Sequence, residues 1–162
     1  FGQRREWSES RELDWSLLQY AEHQGLKRLV QDLNALYRNE ISLHGQSHKP
    51  DGFEWIDCHD SPQSVISFVR KAGGETTVIV VSFTPIPRHH YRIGMPSGGV
   101  WNEIFNSDSE YYGGSNLGNP FPVQASDQPW MGHGWSIELT LPPLGAIVLR
   151  QVVEPAVEGA KS

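Results

Sequence analysis

The sequence predicts a mainly β fold, an antiparallel sandwich or barrel, preceded by one amphipathic helix. Two observations support this fold class. Beyond residue 52, seven short runs rich in Val, Ile, Phe, Trp and Thr are separated by turns and by no helical pattern. Before residue 40, apolar residues recur at a helical spacing instead. The length of 162 residues suits one ordinary domain with a modest extension.

The first element, residues 1–15, is predicted to be a loop that needs a partner surface. Its charged residues surround Trp7 and Trp15 with a period of neither 2 nor 3.6. A helix is predicted over residues 24–38, because apolar side chains fall at i, i+3, i+4, i+7 and i+11 opposite a polar face. These apolar residues are Leu26, Leu29, Val30, Leu33 and Tyr37. Residues 41–52 are mostly polar and indicate a connector.

The strands come next. The seven runs cover residues 53–57, 64–70, 76–83, 90–93, 100–105, 135–141 and 146–152. The run at 76–83 is nearly continuous in apolar residues, which predicts a central strand covered on both faces. Residues 107–134 form one long irregular segment, and loops of that length are usually functional or mobile. Residues 153–162 are predicted to be a disordered tail.

Composition and charge exclude several kinds of partner. The chain has 13 basic and 19 acidic residues, a net charge of -6, and no basic stripe with interleaved aromatics. We therefore expect neither nucleic acid nor a membrane as partner. The single Cys58 permits no internal disulfide, which fits a reducing compartment. Six Trp and five Tyr favour flat aromatic surfaces of the kind on which sugars stack.

The sequence predicts no metal site and no cofactor. His44 and His48 are four residues apart, but no third ligand follows at a useful spacing, so we interpret both as solvated loop residues. His89 and His90 are adjacent, and in a regular strand their rings would point to opposite faces. The glycine-rich loops that bind phosphate and the G-x-S-x-G nucleophile motif are absent from the sequence.

Pairs of carboxylates near one another in sequence also do not predict catalysis here. Such pairs are Glu6 with Glu9, Asp57 with Asp60, and Asp108 with Glu110. A retaining glycosidase holds its two carboxyl groups about 5 to 5.5 Å apart across a sugar ring, and proximity in a loop does not supply that arrangement. We interpret the pairs as solvated surface and predict no catalytic residue in this chain.

The tryptophans allow two interpretations. Trp55 and Trp101 lie in predicted strands, which favours positions in the core. Trp130, in the long loop, and Trp135, at its exit, are candidates for sugar stacking, with packing of the loop as the alternative.

Ordered motifs run through both parts of the chain. The N-terminal part contains Phe1-Gly2-Gln3, Arg5-Glu6-Trp7-Ser8, Leu13-Asp14-Trp15, Asp32-Leu33-Asn34 and Leu36-Tyr37-Arg38. The later part contains Gly52-Phe53-Glu54-Trp55-Ile56-Asp57, Phe83-Thr84-Pro85, Asn106-Ser107-Asp108, Tyr112-Gly113-Gly114-Ser115-Asn116 and Leu141-Pro142-Pro143-Leu144. The first group resembles the segment after the eighth barrel strand and the last barrel helix of glycogen branching enzymes, in the α-amylase superfamily. The second group resembles the C-terminal all-β domain of the same enzymes.

This resemblance implies an antiparallel Greek-key β-sandwich preceded by one helix from the end of a (β/α)8 barrel. Residues 1–40 would be the last loop and helix of the catalytic barrel, with the apolar stripe of the helix facing the barrel sheet. Residues 41–52 would be the connector and residues 53–152 the C-terminal domain. Since loops after barrel strands build the active-site face, the resemblance places Arg5, Glu6 and Trp7 near the glucan cleft. In the alternative interpretation, this loop is scaffolding beneath the barrel rim.

The resemblance also implies a function. The family consists of cytoplasmic transferases that cut an α-1,4-glucan and rejoin the cut segment to a 6-hydroxyl as an α-1,6 branch of glycogen. The partners implied are α-glucans such as glycogen and amylose, and the rest of the barrel. The catalytic carboxylates of the family lie on barrel strands four, five and seven, all before residue 1, so we expect this chain alone to be inactive. The alternatives are a free-standing glucan-binding sandwich and the C-terminal part of a related α-glucan hydrolase or debranching enzyme.

Overall fold

The β part of the chain forms two antiparallel sheets in the computed structural model, which describes residues 1–152. The strands are β1 (Phe53–Asp60), β2 (Val65–Ala72), β3 (Glu75–Ser82), β4 (Arg88–Met95), β5 (Gly99–Asn106), β6 (Val123–Ala125), β7 (Trp135–Leu141) and β8 (Ala146–Gln151). The larger sheet has the order β1-β2-β3-β8-β5-β6, and the smaller sheet pairs β4 with β7. The mainly β, antiparallel fold is confirmed. The tail predicted at residues 153–162 lies outside the described residues.

The main core lies between the two sheets. Alternate residues of each strand point inward, as the pleat requires. The larger sheet contributes Val69, Val78, Val80, Trp101, Ile147 and Leu149 among others, and the smaller sheet contributes Ile93, Met95, Ile137, Leu139 and Leu141. Full burial of one such aliphatic side chain is worth about 1.5 to 3 kcal/mol, so this layer dominates the stability of the fold.

The prediction of a central strand is confirmed, because β3 lies inside the larger sheet between β2 and β8. Val78 and Val80 face the inter-sheet core. Ile79 faces the other side, where it packs with Phe105 and Val148 under the N-terminal helix.

The helix α1 spans Ala21–Asn39, three residues longer at its start than the predicted helix. Its apolar residues lie on one face of the helix. At one edge of this face, Leu29 and Leu36 pack on the outer face of the larger sheet. The stripe that is left exposed consists of Leu26, Val30, Leu33 and Tyr37. We refer to these four residues as the exposed stripe.

The connector at 41–52 contains secondary structure that its sequence does not predict. A second short helix, α2 (Ile41–His44), is followed by a 3₁₀ turn at Pro50–Gly52. The Ser42 hydroxyl is fully buried 3.1 Å from the Thr77 hydroxyl of β3. Arg150 of β8 donates to the carboxylate of Glu40 at 2.6 Å, which ties the end of α1 to the same sheet.

Two predictions about the β part need correction. Trp101 is fully buried as expected, but Trp55 is 49% exposed, so its placement in the core is wrong. The reason is strand alternation: Ile56 points into the core, and Trp55 therefore lies on the outer face, where it packs with Phe53 and Phe68. The long segment 107–134 also contains β6, a strand of three residues that is too short to give a sequence pattern.

Candidate functional site

The N-terminal segment, which precedes α1, is attached to the first turns of that helix. The carbonyl oxygen of Phe1 accepts a hydrogen bond from Nδ1 of His23 at 2.7 Å. Gly2 has a φ of 76° and lies against Leu26, where a side chain would not fit the backbone conformation. The ring of Phe1 packs 5.6 Å from that of Trp15. The loop that carries Arg5, Glu6 and Trp7 is thus fixed at both of its ends.

Arg5, Glu6 and Trp7 line one cleft of about 200 Å³ together with Leu13 and Asp14. The structure therefore brings these three predicted site residues together. The indole of Trp7 is 77% exposed, so it packs under nothing within residues 1–152. Such an exposed aromatic beside charged side chains can stack on an apolar face of a ligand while the charges bind its polar groups.

Trp130 and Trp135 lie outside the N-terminal cleft, and only Trp130 lines the groove described next. Trp130 lines a groove of about 650 Å³ together with residues of the β1–β2 turn and of β4. We refer to it as the Trp130 groove. It shares no lining residue with the N-terminal cleft. Trp135 packs over Gly98, where an added Cβ would lie 3.0 Å from three atoms of the indole.

The indole of Trp130 is presented by a tight hairpin turn. Trp130 and His133 exchange two backbone hydrogen bonds of 2.9 Å. Met131 and Gly132 between them have φ values of 49° and 79°, the signs that a type I′ turn requires. The turn lies directly on β4, since a Cβ at Gly94 would be 2.4 Å from the Trp130 carbonyl oxygen. The usual sequence signal for this turn is Asn-Gly, and Met-Gly gave none.

Part of the lining of the Trp130 groove is a hydrogen-bonded network. The Tyr91 hydroxyl donates to Asp60 at 2.6 Å, and the Gln63 amide donates to the same carboxylate at 3.0 Å. Arg88 donates to the carbonyl oxygen of Gln63 at 2.6 Å. Burial, and then the hydrogen bond to Asp60, raise the pKa of Tyr91 well above its usual range. These hydrogen bonds hold this part of the groove in place, and the Tyr91 hydroxyl keeps its proton at neutral pH.

The two adjacent histidines of the sequence both line this groove. His90 has a φ of 55°, and the pairing of β4 with β7 is irregular between Arg88 and Tyr91. The expectation of rings on opposite faces was made for a regular strand, and this bulge interrupts the regular alternation. His90 lies 3.5 Å from Glu138, which also accepts from Arg92 at 2.6 Å. The hydrogen bond from Arg92 lowers the pKa of the Glu138 carboxyl.

The glycine-rich motif Tyr112-Gly113-Gly114-Ser115-Asn116 has a structural role. It folds around the carboxylate of Asp108, which accepts from the backbone N–H of Ser115 at 3.1 Å and from that of Leu117 at 3.2 Å. The Tyr112 hydroxyl then donates to Asp32 of α1 at 2.8 Å. The motif thus fastens α1 to the β part.

Among residues 1–152, no group of three His, Cys, Asp or Glu could hold a metal ion. No helix in the same range is long and apolar enough to cross a membrane.

Comparisons with known proteins bear on both parts of the chain. Residues 55–152 match the family described as "Alpha amylase, C-terminal all-beta domain". The "1,4-alpha-glucan branching enzyme GlgB" of Marinobacter nauticus is 67% identical over 153 residues, 93% of this chain and 24% of that protein. The protein of the same name from Thiobacillus denitrificans is 57% identical over 152 residues, 93% of this chain and 20% of its own length. The solved α-amylase of H. orenii aligns with 77% of this chain and 20% of its own, at 15% identity and a TM-score of 0.47.

The chain spans only about a quarter of the length of the Marinobacter relative and a fifth of the Thiobacillus relative. Within the chain, however, the family match covers β1 to β8 apart from the first two residues of β1. It includes both sheets and the whole inter-sheet core. This chain therefore belongs to the family of α-amylase C-terminal all-β domains.

Proposed function

We propose that this chain is the C-terminal portion of a 1,4-α-glucan branching enzyme. That enzyme would transfer a cut α-1,4-glucan segment to a 6-hydroxyl and so form the α-1,6 branches of glycogen. The observation that carries the proposal is the identity of 67% over 93% of the chain with a relative named as a branching enzyme. That alignment reaches well beyond the β domain and so includes most of the N-terminal loop and α1. A glucan-binding sandwich alone would not require those elements.

The exposed stripe supports a barrel as the partner of residues 1–40. Its four side chains are 37 to 52% exposed, although they fall at a regular helical spacing. Covering the exposed half of four such side chains is worth roughly 3 to 6 kcal/mol. In this proposal the stripe packs on the sheet of a (β/α)8 barrel, while Leu29 and Leu36, at the adjacent edge of the same apolar face, pack on the β domain. The helix thus joins the two.

The N-terminal cleft completes the proposal. If residues 1–15 follow a barrel strand, the loop with Arg5, Glu6 and Trp7 lies on the active-site face, where it contacts the glucan. Trp7 is 77% exposed within residues 1–152, so its side chain is available for this role. We expect Trp7→Ala in the longer enzyme to lower kcat/KM for long glucans and to leave the melting temperature unchanged. An unchanged kcat/KM, or a lower melting temperature, would assign this residue to packing.

The test of the function compares this chain with a longer protein that carries it after a complete barrel. Each is incubated with amylose, and iodine absorbance, reducing ends and α-1,6 linkages are measured. We expect no change with this chain alone. With the longer protein, we expect α-1,6 linkages without a matching rise in reducing ends.

Other outcomes would contradict the proposal. A rise in reducing ends without new α-1,6 linkages would favour a hydrolase. Glucan binding without any change in linkage would favour the binding module. Activity of this chain alone, lost on substitution of one of its own carboxylates, would show that the catalytic groups lie here.

We further propose a cytoplasmic location, supported by the single, exposed and unbridged Cys58.

A further inference from the structure

The Trp130 groove has the dimensions of a ligand site. Its volume of about 650 Å³ lies within the usual range for such sites, roughly 300 to 1,000 Å³. Trp130 is 47% exposed and is one of the residues that line the groove. A large flat aromatic left in contact with solvent inside a polar groove is available to stack on a ligand.

The stacking surface is organised before any ligand arrives. Two backbone hydrogen bonds close the turn from Trp130 to His133. The carbonyl oxygen of Trp130 packs closely on Gly94 of β4. Because the turn is fixed to β4 in this way, little backbone freedom is lost when a ligand stacks on the indole. Preorganisation of this kind lowers the entropic cost of binding.

The charges of the groove favour a neutral ligand with many hydroxyl groups. Its lining holds two carboxylates, Asp57 and Asp60, and two guanidiniums, Arg88 and Arg92, so the formal charges cancel. Asp60 and Arg88 are committed to the hydrogen-bonded network of the lining. Asp57 accepts the backbone N–H of His59 through Oδ1, and its Oδ2 has no hydrogen-bond partner within residues 1–152. A free carboxylate oxygen in the same groove as an aromatic side chain suits a sugar, whose ring face is apolar and whose rim carries hydroxyls.

We propose that the Trp130 groove binds a linear α-1,4-glucan chain, with the Trp130 indole stacked on a glucose ring and Asp57 accepting from its hydroxyls. The choice of the α-1,4-linked polymer rests on the proposed function. The site would hold the chain of a growing glucan on the β domain, at a position separate from the N-terminal cleft. It therefore adds affinity for long glucans through a second point of attachment.

The test titrates the 162-residue chain with maltoheptaose, and with cellohexaose as the β-linked control, by isothermal titration calorimetry. The chain is used as it is, together with the variants Trp130→Ala, Trp130→Phe and Trp55→Ala. Trp55 is a matched control, since it is exposed to the same degree, 49%, on the outer face of the larger sheet. We expect the dissociation constant for maltoheptaose to rise at least about fivefold in Trp130→Ala. Trp130→Phe should keep most of the affinity, and Trp55→Ala should keep all of it.

An NMR measurement on the chain without substitutions tests the same proposal even if a variant fails to fold. With tryptophan labelled by ¹⁵N, maltoheptaose should shift the indole N–H signal of Trp130 and leave that of Trp55 in place. Equal affinity of Trp130→Ala and the parent, an equal loss in Trp55→Ala, or no binding at millimolar maltoheptaose would overturn the proposal. So would an unmoved Trp130 signal, or equal binding of cellohexaose.

The failure of this inference differs from the failure of the proposed function. If the longer protein forms α-1,6 linkages but Trp130 binds no maltoheptaose, only the groove is wrongly assigned. If the longer protein forms none and the groove binds cellohexaose as well as maltoheptaose, the choice of glucan falls together with the function.

Discussion

At the scale of single residues, two tyrosine hydroxyls bind carboxylates and join separate parts of the chain. Tyr112 donates to Asp32 of α1, and Tyr91 donates to Asp60 of β1. Burial, and then the hydrogen bond to Asp32, raise the pKa of Tyr112 from 10.0 to about 12. Tyr91 is shifted in the same direction for the same reasons. Both protons are therefore held more tightly in the folded chain than in the unfolded one.

This difference predicts a loss of stability at alkaline pH. A group whose pKa is raised by folding contributes stability that is complete below its unfolded pKa, near 10 for tyrosine, and is lost as pH rises toward the folded value. We expect the urea midpoint of the chain to fall as pH rises from about 10 toward 12. In Tyr112→Phe the fall should be shallower. Tyr111→Phe is the control, since Tyr111 is 67% exposed, and an equally steep fall in Tyr112→Phe would contradict the prediction.

At the scale of elements, the position of α1 depends on one close approach. Gly25 is buried, and a Cβ at this position would lie 2.5 Å from the carbonyl oxygen of Tyr112. That contact is between backbones, so it cannot be relieved by rotation of a side chain.

We expect Gly25→Ala to destabilise the docking of α1, although alanine is better in a helix than glycine by about 1 kcal/mol. The collision with Tyr112 outweighs that gain, because something in the backbone must shift. Hydrogen exchange should become faster along α1 and stay unchanged in β3. The exposed Gln31→Ala serves as the control for helix propensity. Slower exchange along α1 in Gly25→Ala would show that the close approach carries no cost.

The same scale shows how far the sequence predicts the structure. The sequence predicts the elements that have a long, regular pattern, namely the helix around Leu29 and the apolar run of β3. It does not predict the elements that depend on contacts with other parts of the chain. The short strand β6 and helix α2 have too few residues for a period to appear. Trp55 and Trp101 both lie in strands, and the face of the sheet toward which each side chain points decides that one is exposed and the other buried.

The candidate site follows the same division. The cluster of Arg5, Glu6 and Trp7 could be predicted because its members are adjacent in sequence. The Trp130 groove could be predicted only as one aromatic residue in a long loop. Its other residues include Met131 and residues of β1, β4 and the turn between β1 and β2, and β4 carries a bulge around His90. Neither a bulge nor a Met-Gly turn has a strong sequence signal.

At the scale of the whole molecule, the exposed stripe separates two kinds of stability. In the isolated chain, Val30 is 49% exposed, so Val30→Glu should change the free energy of unfolding by no more than about 0.5 kcal/mol. In a longer protein with a barrel, the same substitution would place a charge in a buried interface and lower the melting temperature. Thermal denaturation of both forms measures the difference. Gln31→Glu on the polar face should be tolerated in both, and a longer protein that tolerates Val30→Glu equally well would argue against the barrel contact.

The strand order of the larger sheet has a consequence for synthesis on the ribosome. β8 lies between β3 and β5, so it joins two groups of strands that have no ladder with each other. Those groups are complete by residue 125, but the sheet cannot close until residues 146–151 have been made. Until then, the edges of β3 and β5 offer unpaired backbone groups to other nascent chains. Nascent chains stalled before residue 146 should therefore be cleaved readily by protease, and chains that expose residue 151 should resist it. We therefore expect β8 to act as a checkpoint for folding, because a polypeptide that ends before it keeps an open sheet.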